Sequence, residues 1–164
     1  MQLKSQKMKL IKILGIDPGS HRLGYGLIAK KINGEIALLD RGLINIKVPS
    51  PEKRICLLDK KIRNLINKTK PDLIGVEKLY FSRNQKTAMM VAEARGIVLL
   101  AASQYRVPVK EFGPTTVKQR IAGNGRADKK AILKMVKLFL KIKNLNCADD
   151  VSDAIAIALT AAFD

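Results

Sequence analysis

The apolar residues in the first 46 positions fall into three short stretches that predict β-strands. We predict strands over residues 10–17, 22–30 and 34–46. The Asn33-Gly34 pair separates the second stretch from the third, and Asn-Gly between two such stretches is a strong signal for a hairpin turn. The chain is therefore expected to open with a three-stranded antiparallel meander.

The pattern changes to a helical period over residues 50–72. Ser50 suits an N-cap, Pro51 suits the first helical position, and Pro71 is expected to end the helix. The residues predicted to face the core recur every three or four positions; they are Ile55, Leu58, Ile62, Leu65 and Ile66.

The rest of the chain alternates strands and helices. We predict a strand over 72–78, a helix over 86–104, a strand over 107–112, a short helix within 115–123, a helix over 127–140 and a last helix over 149–163. Strands linked by helical crossovers pair in parallel. The fold class predicted is α/β, with a five-stranded mixed sheet of a three-strand antiparallel meander and two parallel strands, flanked by helices.

Composition refines the predicted organisation. The 164 residues contain no repeat and no break in composition, so we predict one domain over residues 10–164, preceded by a flexible basic arm over 1–9. No apolar run is long enough to cross a membrane, and no secretory signal precedes the domain. Cys56 and Cys147 are interpreted as reduced thiols of a cytoplasmic protein.

The charge points to a polyanionic partner. The chain has 31 Lys and Arg against 14 Asp and Glu, a net charge of +17. Such an excess on one small domain favours nucleic-acid binding. The alternative is a lysine-rich proteome, in which lysine covers every solvated face.

Two glycine patterns resemble nucleotide-binding motifs and are set aside. Gly24 and Gly26 match a dinucleotide-binding pattern, but they lie inside a predicted strand rather than at a strand-to-helix turn. Gly19 and Gly24 have the spacing of a phosphate-binding loop, but Tyr25 stands where that motif requires lysine.

Four acidic residues are candidates for chemistry, each with a structural alternative. Asp17 ends the first strand, where it also suits the turn at Pro18-Gly19. Glu77 lies near the end of the fourth strand, where an ion pair with a lysine is the alternative. Asp150 and Asp153 share one face of the last helix. Helix capping explains an acid at Asp150, but Asp153 lies beyond the first turn and is expected to face something buried and positive.

These acids converge if the first and fourth strands are neighbours. Clustered carboxylates repel one another unless cations neutralise them. Ligands that are all oxygen select hard ions such as Mg²⁺ or Mn²⁺, and a pair of such ions supports phosphodiester hydrolysis. An acidic point in an otherwise basic protein is the arrangement expected of a nuclease.

Five segments, taken in order, resemble the RuvC family of bacterial Holliday-junction resolvases: GIDPGSHRLGYGLI, VEKLYFSRN, AEARGIVLLAA, VKQRIAGNGRADK and DDVSDAIAIAL. The resemblance runs from about residue 12 to residue 162. It implies a ribonuclease H-like fold and an active crossover junction endodeoxyribonuclease that uses two Mg²⁺ ions per site. It assigns the metal-binding carboxylates to Asp17, Glu77, Asp150 and Asp153, because the D-x-x-D-A spacing of the family selects Asp150 rather than Asp149.

The resemblance also implies DNA contacts at six positions, which are Tyr80, Phe81, Arg83, Asn84, Lys118 and Lys129. Tyr80 takes the place of an aromatic residue, more often Phe, that stacks on junction bases. Two adjacent aromatic residues in a polar loop suit base stacking; the alternative is that one ring is buried in the core. Lys118 and Lys129 match basic positions that the family uses near the scissile strand.

The helix at 86–104 is apolar nearly all round, broken by Glu93 and Arg95. It is either a fully buried helix or one with a second partner. The resemblance implies a homodimer packed through this helix, acting on a four-way DNA junction together with RuvA and RuvB.

Three other functions were considered. A related resolvase-like family processes ribosomal RNA and shares the GIDxG opening, but the aromatic loop and the Asp150–Asp153 pair argue against it. Sugar-kinase and actin-like ATPases also open in this way, yet they need two such domains. A nucleic-acid chaperone with the same fold has no use for four clustered acids.

Overall fold

The computed structural model describes residues 10–79 and 85–164. These residues form five strands and five helices. In chain order they are β1 (Leu10–Pro18), β2 (Arg22–Lys31), β3 (Ile36–Asn45), α1 (Pro51–Thr69), β4 (Leu73–Glu77), α2 (Gln85–Gln104), β5 (Val109–Phe112), α3 (Pro114–Ala122), α4 (Lys129–Phe139) and α5 (Asp149–Phe163). The predicted elements are thus confirmed, with ends shifted by a few residues.

The strands form one five-stranded mixed sheet in the order β3-β2-β1-β4-β5. The meander strands pair antiparallel, β1 with β2 and β2 with β3. β1 also pairs in parallel with β4, and β4 in parallel with β5. This is the sheet predicted from the sequence, and it makes β1 and β4 neighbours.

Two apolar cores lie on opposite faces of the sheet. One contains buried residues of α1 and α2, such as Leu58, Ile62 and Val98. The other contains α5 with α3 and α4, including Ile121, Val136 and Ile155. The apolar run at the end of the sequence is buried because α5 lies directly across the sheet, where nearly every residue from Ala154 to Ala162 is shielded from solvent.

Local signals in the sequence set the turns and caps. Ser50 Oγ accepts a hydrogen bond from the backbone N–H of Lys53 and caps α1. Gly34 adopts a φ of +84° in the hairpin between β2 and β3. The hairpin loop is longer than the Asn-Gly pair alone, since β2 ends at Lys31 and β3 begins at Ile36.

One predicted core position is wrong. Ile55 is 39% exposed. The buried stripe of α1 passes instead through Arg54, whose side chain is only 11% exposed and pairs with Glu93 of α2. The ion pair thus takes the inward place in the first turn, and Ile55 is rotated toward solvent.

None of the helices in the described ranges is long and apolar enough to cross a membrane. The predicted arm over residues 1–9 lies outside the described residues, so the division into arm and domain stays a prediction.

Candidate active site

The structure brings the four predicted acids together at one edge of the sheet. β1 and β4 run in parallel, and Ile16 is paired with Val76, so Asp17 and Glu77 follow at the same end of neighbouring strands. Asp150 and Asp153 lie in the first turns of α5, and both raise the pKa of Asp17 by electrostatic repulsion. Three elements therefore deliver carboxylates to one place.

A row of glycines across the sheet sets the height of α5 above it. Gly15 of β1 is paired with Gly26 of β2 and with Gly75 of β4. A Cβ atom on Gly15 would lie 2.0 Å from the carbonyl oxygen of Ala154, and one on Gly26 would lie 2.5 Å from the side chain of Ile155. The backbone of α5 therefore rests directly on the backbone of the strands.

Gly24 of β2 likewise lets the backbone at the start of α5 lie close to the sheet. A Cβ atom there would lie 2.0 Å from the carbonyl oxygen of Asp150. The Gly24 and Gly26 pattern is indeed inside a strand and not at a nucleotide-binding turn. Sequence reasoning missed its role in seating α5, although glycine inside a strand is a known sign that another backbone approaches closely.

Burial and repulsion alter the ionisation of Asp17. Its pKa is raised from 3.8 to about 7, first by burial and then by the negative charges of Glu77, Asp153 and Asp150; Lys129 opposes the shift. A carboxylate held in this way binds a proton or a cation more readily than an exposed one.

Two other acids of the cluster are shifted in the same direction. The pKa of Glu77 is raised by burial and by Asp153, and lowered in part by Lys118. The pKa of Asp153 is also raised, chiefly by burial, while the ammonium of Lys129 acts against the shift. The cluster is therefore short of positive charge.

Lys129 supplies part of that charge. Its Nζ lies 3.0 Å from Asp149 Oδ2 and 3.7 Å from Asp153 Oδ2. The expectation that Asp153 faces a positive group is confirmed. The group is not buried, because the Lys129 side chain is 68% exposed at the start of α4.

Arg22 supplies further positive charge beside the acidic cluster. Its role was not predicted from the sequence. Its Nε pairs with Asp150 Oδ2, an oxygen that is buried and accepts no well-directed hydrogen bond from the described residues. Arg22 opens β2, two residues before Gly24, which is paired with Asp17. A basic residue at the start of the strand beside Asp17 was the available signal.

The donor set fits divalent cations of the Mg²⁺ class. All four candidate ligands are carboxylates, three of them have raised pKa values, and one buried oxygen, Asp150 Oδ2, accepts no hydrogen bond from the described residues. Among the described residues, no three acidic, histidine or cysteine side chains converge on a single point as they stand. Arg22 pairs with Asp150, and Lys129 pairs with Asp153. An incoming cation would therefore take the place of these two basic side chains.

Glu77 lies between two clefts. One, of about 140 Å³, is lined by Glu77, Asp153, Lys118 and Lys129 among others. The second, of about 280 Å³, lies toward α2 and includes Leu79, the last described residue before the loop at 80–84. Both lysines assigned to DNA contacts thus lie beside the acidic cluster.

The aromatic loop lies outside the described residues. The predictions made for Tyr80, Phe81, Arg83 and Asn84 therefore stay predictions. In the sequence these residues stand between the end of β4 at Glu77 and the start of α2 at Gln85.

The outer side of α2 carries an apolar stripe. Met89 is 67% exposed and Leu100 is 53% exposed, and Gly96 between them has open space beside it. Glu93 and Arg95, the two charged residues in the middle of this helix, pair within the chain with Arg54 and Glu111. The helix is therefore not fully buried in one chain.

The family model described as crossover junction endodeoxyribonuclease RuvC matches residues 13–161. A crossover junction endodeoxyribonuclease RuvC of Petrotoga mobilis is 45% identical over 147 residues, covering 89% of this chain and 90% of the relative.

Two solved structures from Thermus thermophilus are similar along most of the chain. The RuvC structure matches with a TM-score of 0.85 at 34% identity, covering 93% of this chain and 94% of that one. RuvC in complex with a Holliday junction substrate matches with a TM-score of 0.83 at 31% identity, with the same coverage.

Proposed function

Since the chain belongs to the RuvC family of crossover junction endodeoxyribonucleases, we propose that it resolves four-way (Holliday) DNA junctions by paired, symmetric nicks during homologous recombination and DNA repair. The observation that carries the proposal is the cluster of four carboxylates in a protein of net charge +17. The basic surface attracts DNA, and the acidic cluster repels it unless cations intervene.

The proposed cofactor is Mg²⁺, two ions per active site, with Mn²⁺ as an alternative. When bound, the metal supplies an activated water and stabilises charge on the scissile phosphate. Asp17, Glu77, Asp150 and Asp153 hold it, on a frame fixed by β1, β4 and α5. Burial of Asp17 and Glu77 keeps bulk water away from their carboxylates, which strengthens their attraction for a cation.

Two of the proposed DNA contacts lie beside this cluster. Lys118 and Lys129 line the cleft beside Glu77 and would hold the phosphates that flank the scissile bond. Tyr80 and Phe81 would stack on bases at the junction, with Arg83 and Asn84 on neighbouring phosphates.

Cleavage of a synthetic four-way junction tests the proposal. We expect nicks at symmetric positions in two opposing strands, in Mg²⁺ and not in EDTA. A duplex built from the same sequences should stay intact, because its phosphates are not presented as those of the branch point are. Denaturing gels with separately labelled strands measure both the position and the pairing of the nicks.

The outcomes separate the alternatives. Junction binding without cleavage in either metal would support a nucleic-acid chaperone and overturn the proposal. Cleavage of structured RNA in preference to the DNA junction would support the ribosomal RNA-processing reading.

We propose that the active form is a homodimer packed through α2. The support is the exposed apolar stripe of Met89 and Leu100, which a second copy would cover. A two-fold dimer also matches a junction with two equivalent strands to cut.

The Leu100→Glu variant tests this interface. A carboxylate buried in the interface should weaken the dimer by about 100-fold or more, because an unpaired buried charge is costly. Sedimentation velocity should therefore show a dimer for the wild type and a monomer for the variant. The control Ile32→Glu alters an exposed residue of the hairpin loop and should stay dimeric. A wild type that sediments as a monomer would contradict the proposal.

We also propose that RuvA and RuvB deliver the junction to this enzyme, as the family resemblance implies. A cytoplasmic location is proposed as well, since the described residues hold Cys56 and Cys147 as free thiols.

A further inference from the structure

A groove with a rim of lysines lies on the outer side of α4, away from the acidic cluster. Its volume is about 540 Å³. Residues 129–147 contain six lysines and no acidic residue. Five of those lysines form the rim of what we term the lysine groove: Lys130, Lys134, Lys137, Lys141 and Lys143.

The floor of the lysine groove is apolar. It consists of Leu133, Leu138 and Ile142. Leu133 and Ile142 are half-buried against the core, whereas Leu138 is 65% exposed. An exposed leucine among unpaired charges leaves apolar surface in water, which costs free energy until something covers it.

The end of α4 builds this shape. Lys141 adopts a φ of +55°, and its N–H donates to the carbonyl oxygen of Leu138 at 3.1 Å. The N–H of Ile142 donates to the carbonyl oxygen of Lys137 at 3.0 Å. These two bonds are the Schellman arrangement, which turns the chain back along the helix. Ile142 is therefore held beside α4 and closes one side of the groove.

The rim lysines have little internal neutralisation. Lys130, Lys134, Lys137 and Lys143 make no ion pair with any carboxylate in the ranges that the structure describes. Elsewhere, lysines such as Lys31, Lys68 and Lys110 do pair with acids. The lysine groove therefore combines an uncompensated positive rim with an apolar floor.

We propose that the lysine groove binds an acidic, amphipathic segment of a partner protein. Apolar side chains of that segment would cover Leu133, Leu138 and Ile142, and its carboxylates would face the lysine rim. DNA is a poorer fit, because a phosphodiester backbone gains nothing from an apolar floor. Along α4, Leu138 is about 14 Å from Lys129 at 1.5 Å per residue, so the exposed leucine of the floor lies away from the acidic cluster.

Fluorescence anisotropy with designed peptides tests the proposal. The probe is a labelled peptide of Asp and Glu interrupted by Leu and Phe. Two matched peptides replace either the apolar residues by Ser or the acids by Asn and Gln. We expect the first to bind the full chain with a Kd near the micromolar range, and each matched peptide to bind at least about tenfold more weakly.

Variants of the chain locate the site. Lys134→Glu and Leu138→Ser should each weaken binding of the first peptide by about tenfold or more. Both side chains are exposed, so the fold should tolerate the changes. The controls Lys60→Glu on α1 and Leu39→Ser on β3 change exposed residues of the same types elsewhere and should bind as the wild type does.

Junction binding in EDTA decides between peptide and DNA. We expect Lys134→Glu to bind the junction as Lys60→Glu does, and Leu138→Ser as the wild type does. The proposal is overturned if the peptide fails to bind, if the serine-substituted peptide binds equally well, or if the groove variants leave peptide binding unchanged. It is also overturned if those variants lose junction affinity beyond their controls, since the groove would then belong to the DNA surface.

Discussion

We expect the Asp17→Asn variant to lose junction cleavage by at least about 10³-fold while still binding the junction in EDTA. The substitution keeps the size of the side chain but removes a charged oxygen from the cluster. The negative charges of Glu77, Asp150 and Asp153 all raise the pKa of Asp17, which places it among them. A loss of this size is typical when a group that stabilises the transition state is removed. Single-turnover cleavage and gel-shift assays measure the two quantities separately.

The matched control is Asp59→Asn. Within the part of the chain that the structure describes, the one ion pair of Asp59 is with Arg63 on the surface of α1, so its loss costs about 0.3–0.5 kcal/mol and should leave cleavage intact. If Asp17→Asn loses junction binding as well as cleavage, then Asp17 has a structural role and its assignment as a metal ligand is wrong.

Stability against pH gives a readout of Asp17 that does not depend on activity. The pKa of Asp17 is about 7 in the folded chain against 3.8 for the free side chain. The folded state therefore takes up a proton more readily, and the stability that this gives is fully present below pH 3.8 and lost as the pH rises through 7. Without metal, Asp17→Asn should be more stable than the wild type by roughly 1–4 kcal/mol at pH 8 and about equal to it at pH 3.5. Urea unfolding at both pH values measures the difference, and a variant less stable at pH 8 would contradict the burial of a repelled charge.

We expect Gly15→Ala to lower the free energy of unfolding by about 3 kcal/mol or more, and to abolish cleavage in whatever fraction still folds. The new methyl group would lie 2.0 Å from the carbonyl oxygen of Ala154 and 2.6 Å from the backbone nitrogen of Ala158. Backbone atoms cannot rotate aside as a side chain does, so α5 must lift off the sheet. The same movement carries Asp150 and Asp153 away from Asp17.

Gly75→Ala is the matched control, because Gly75 is paired with Gly15 in the next strand. Its added methyl group would lie 3.1 Å from Ile157 Cγ2 and 3.3 Å from both Ala161 Cβ and the carbonyl oxygen of Ile157, so a shift of a few tenths of an ångström, roughly, accommodates it. We expect a cost below about 1.5 kcal/mol and retained cleavage. Equal effects of the two substitutions in urea unfolding would show that α5 does not rest on Gly15 as closely as described.

Local patterns predicted the secondary structure well, because strands, helices and turns depend on nearby residues. The Ser50 cap and the hairpin at Gly34 are examples in which one or two residues decide the conformation. The error at Ile55 arose from a non-local contact. A period of three or four fits either Arg54 or Ile55 as the first inward position, and the ion pair with Glu93 of α2 selects Arg54.

The acids of the candidate site were found from the sequence, but their counterions were not. Asp17 and Glu77 stand out because each lies at the end of an apolar strand, and Asp153 because it precedes an apolar helical run, while the family spacing selects Asp150. Arg22 and Lys129 are two cations among 31; the resemblance singled out Lys129 as a DNA contact, and only the place of Arg22 at the start of the strand beside Asp17 pointed to it. Only the approach of β2 and α4 to the start of α5 places them against Asp150 and Asp153.

The sequence by itself determined the order of elements, the mixed sheet, the identity of the four candidate acids and the excess of positive charge, because each depends on residue types and their spacing along the chain. The tertiary structure alone decided the alignment of Gly26, Gly15 and Gly75 in one row, since strand register joins residues far apart in sequence. That row lets α5 approach the backbone of the sheet, and the approach sets the burial that raises the pKa of Asp17. The position of Asp17 at the end of a strand, before Pro18-Gly19, made it a candidate from the sequence. Its ionisation depends instead on how closely α5, which begins more than 130 residues later, packs on the sheet.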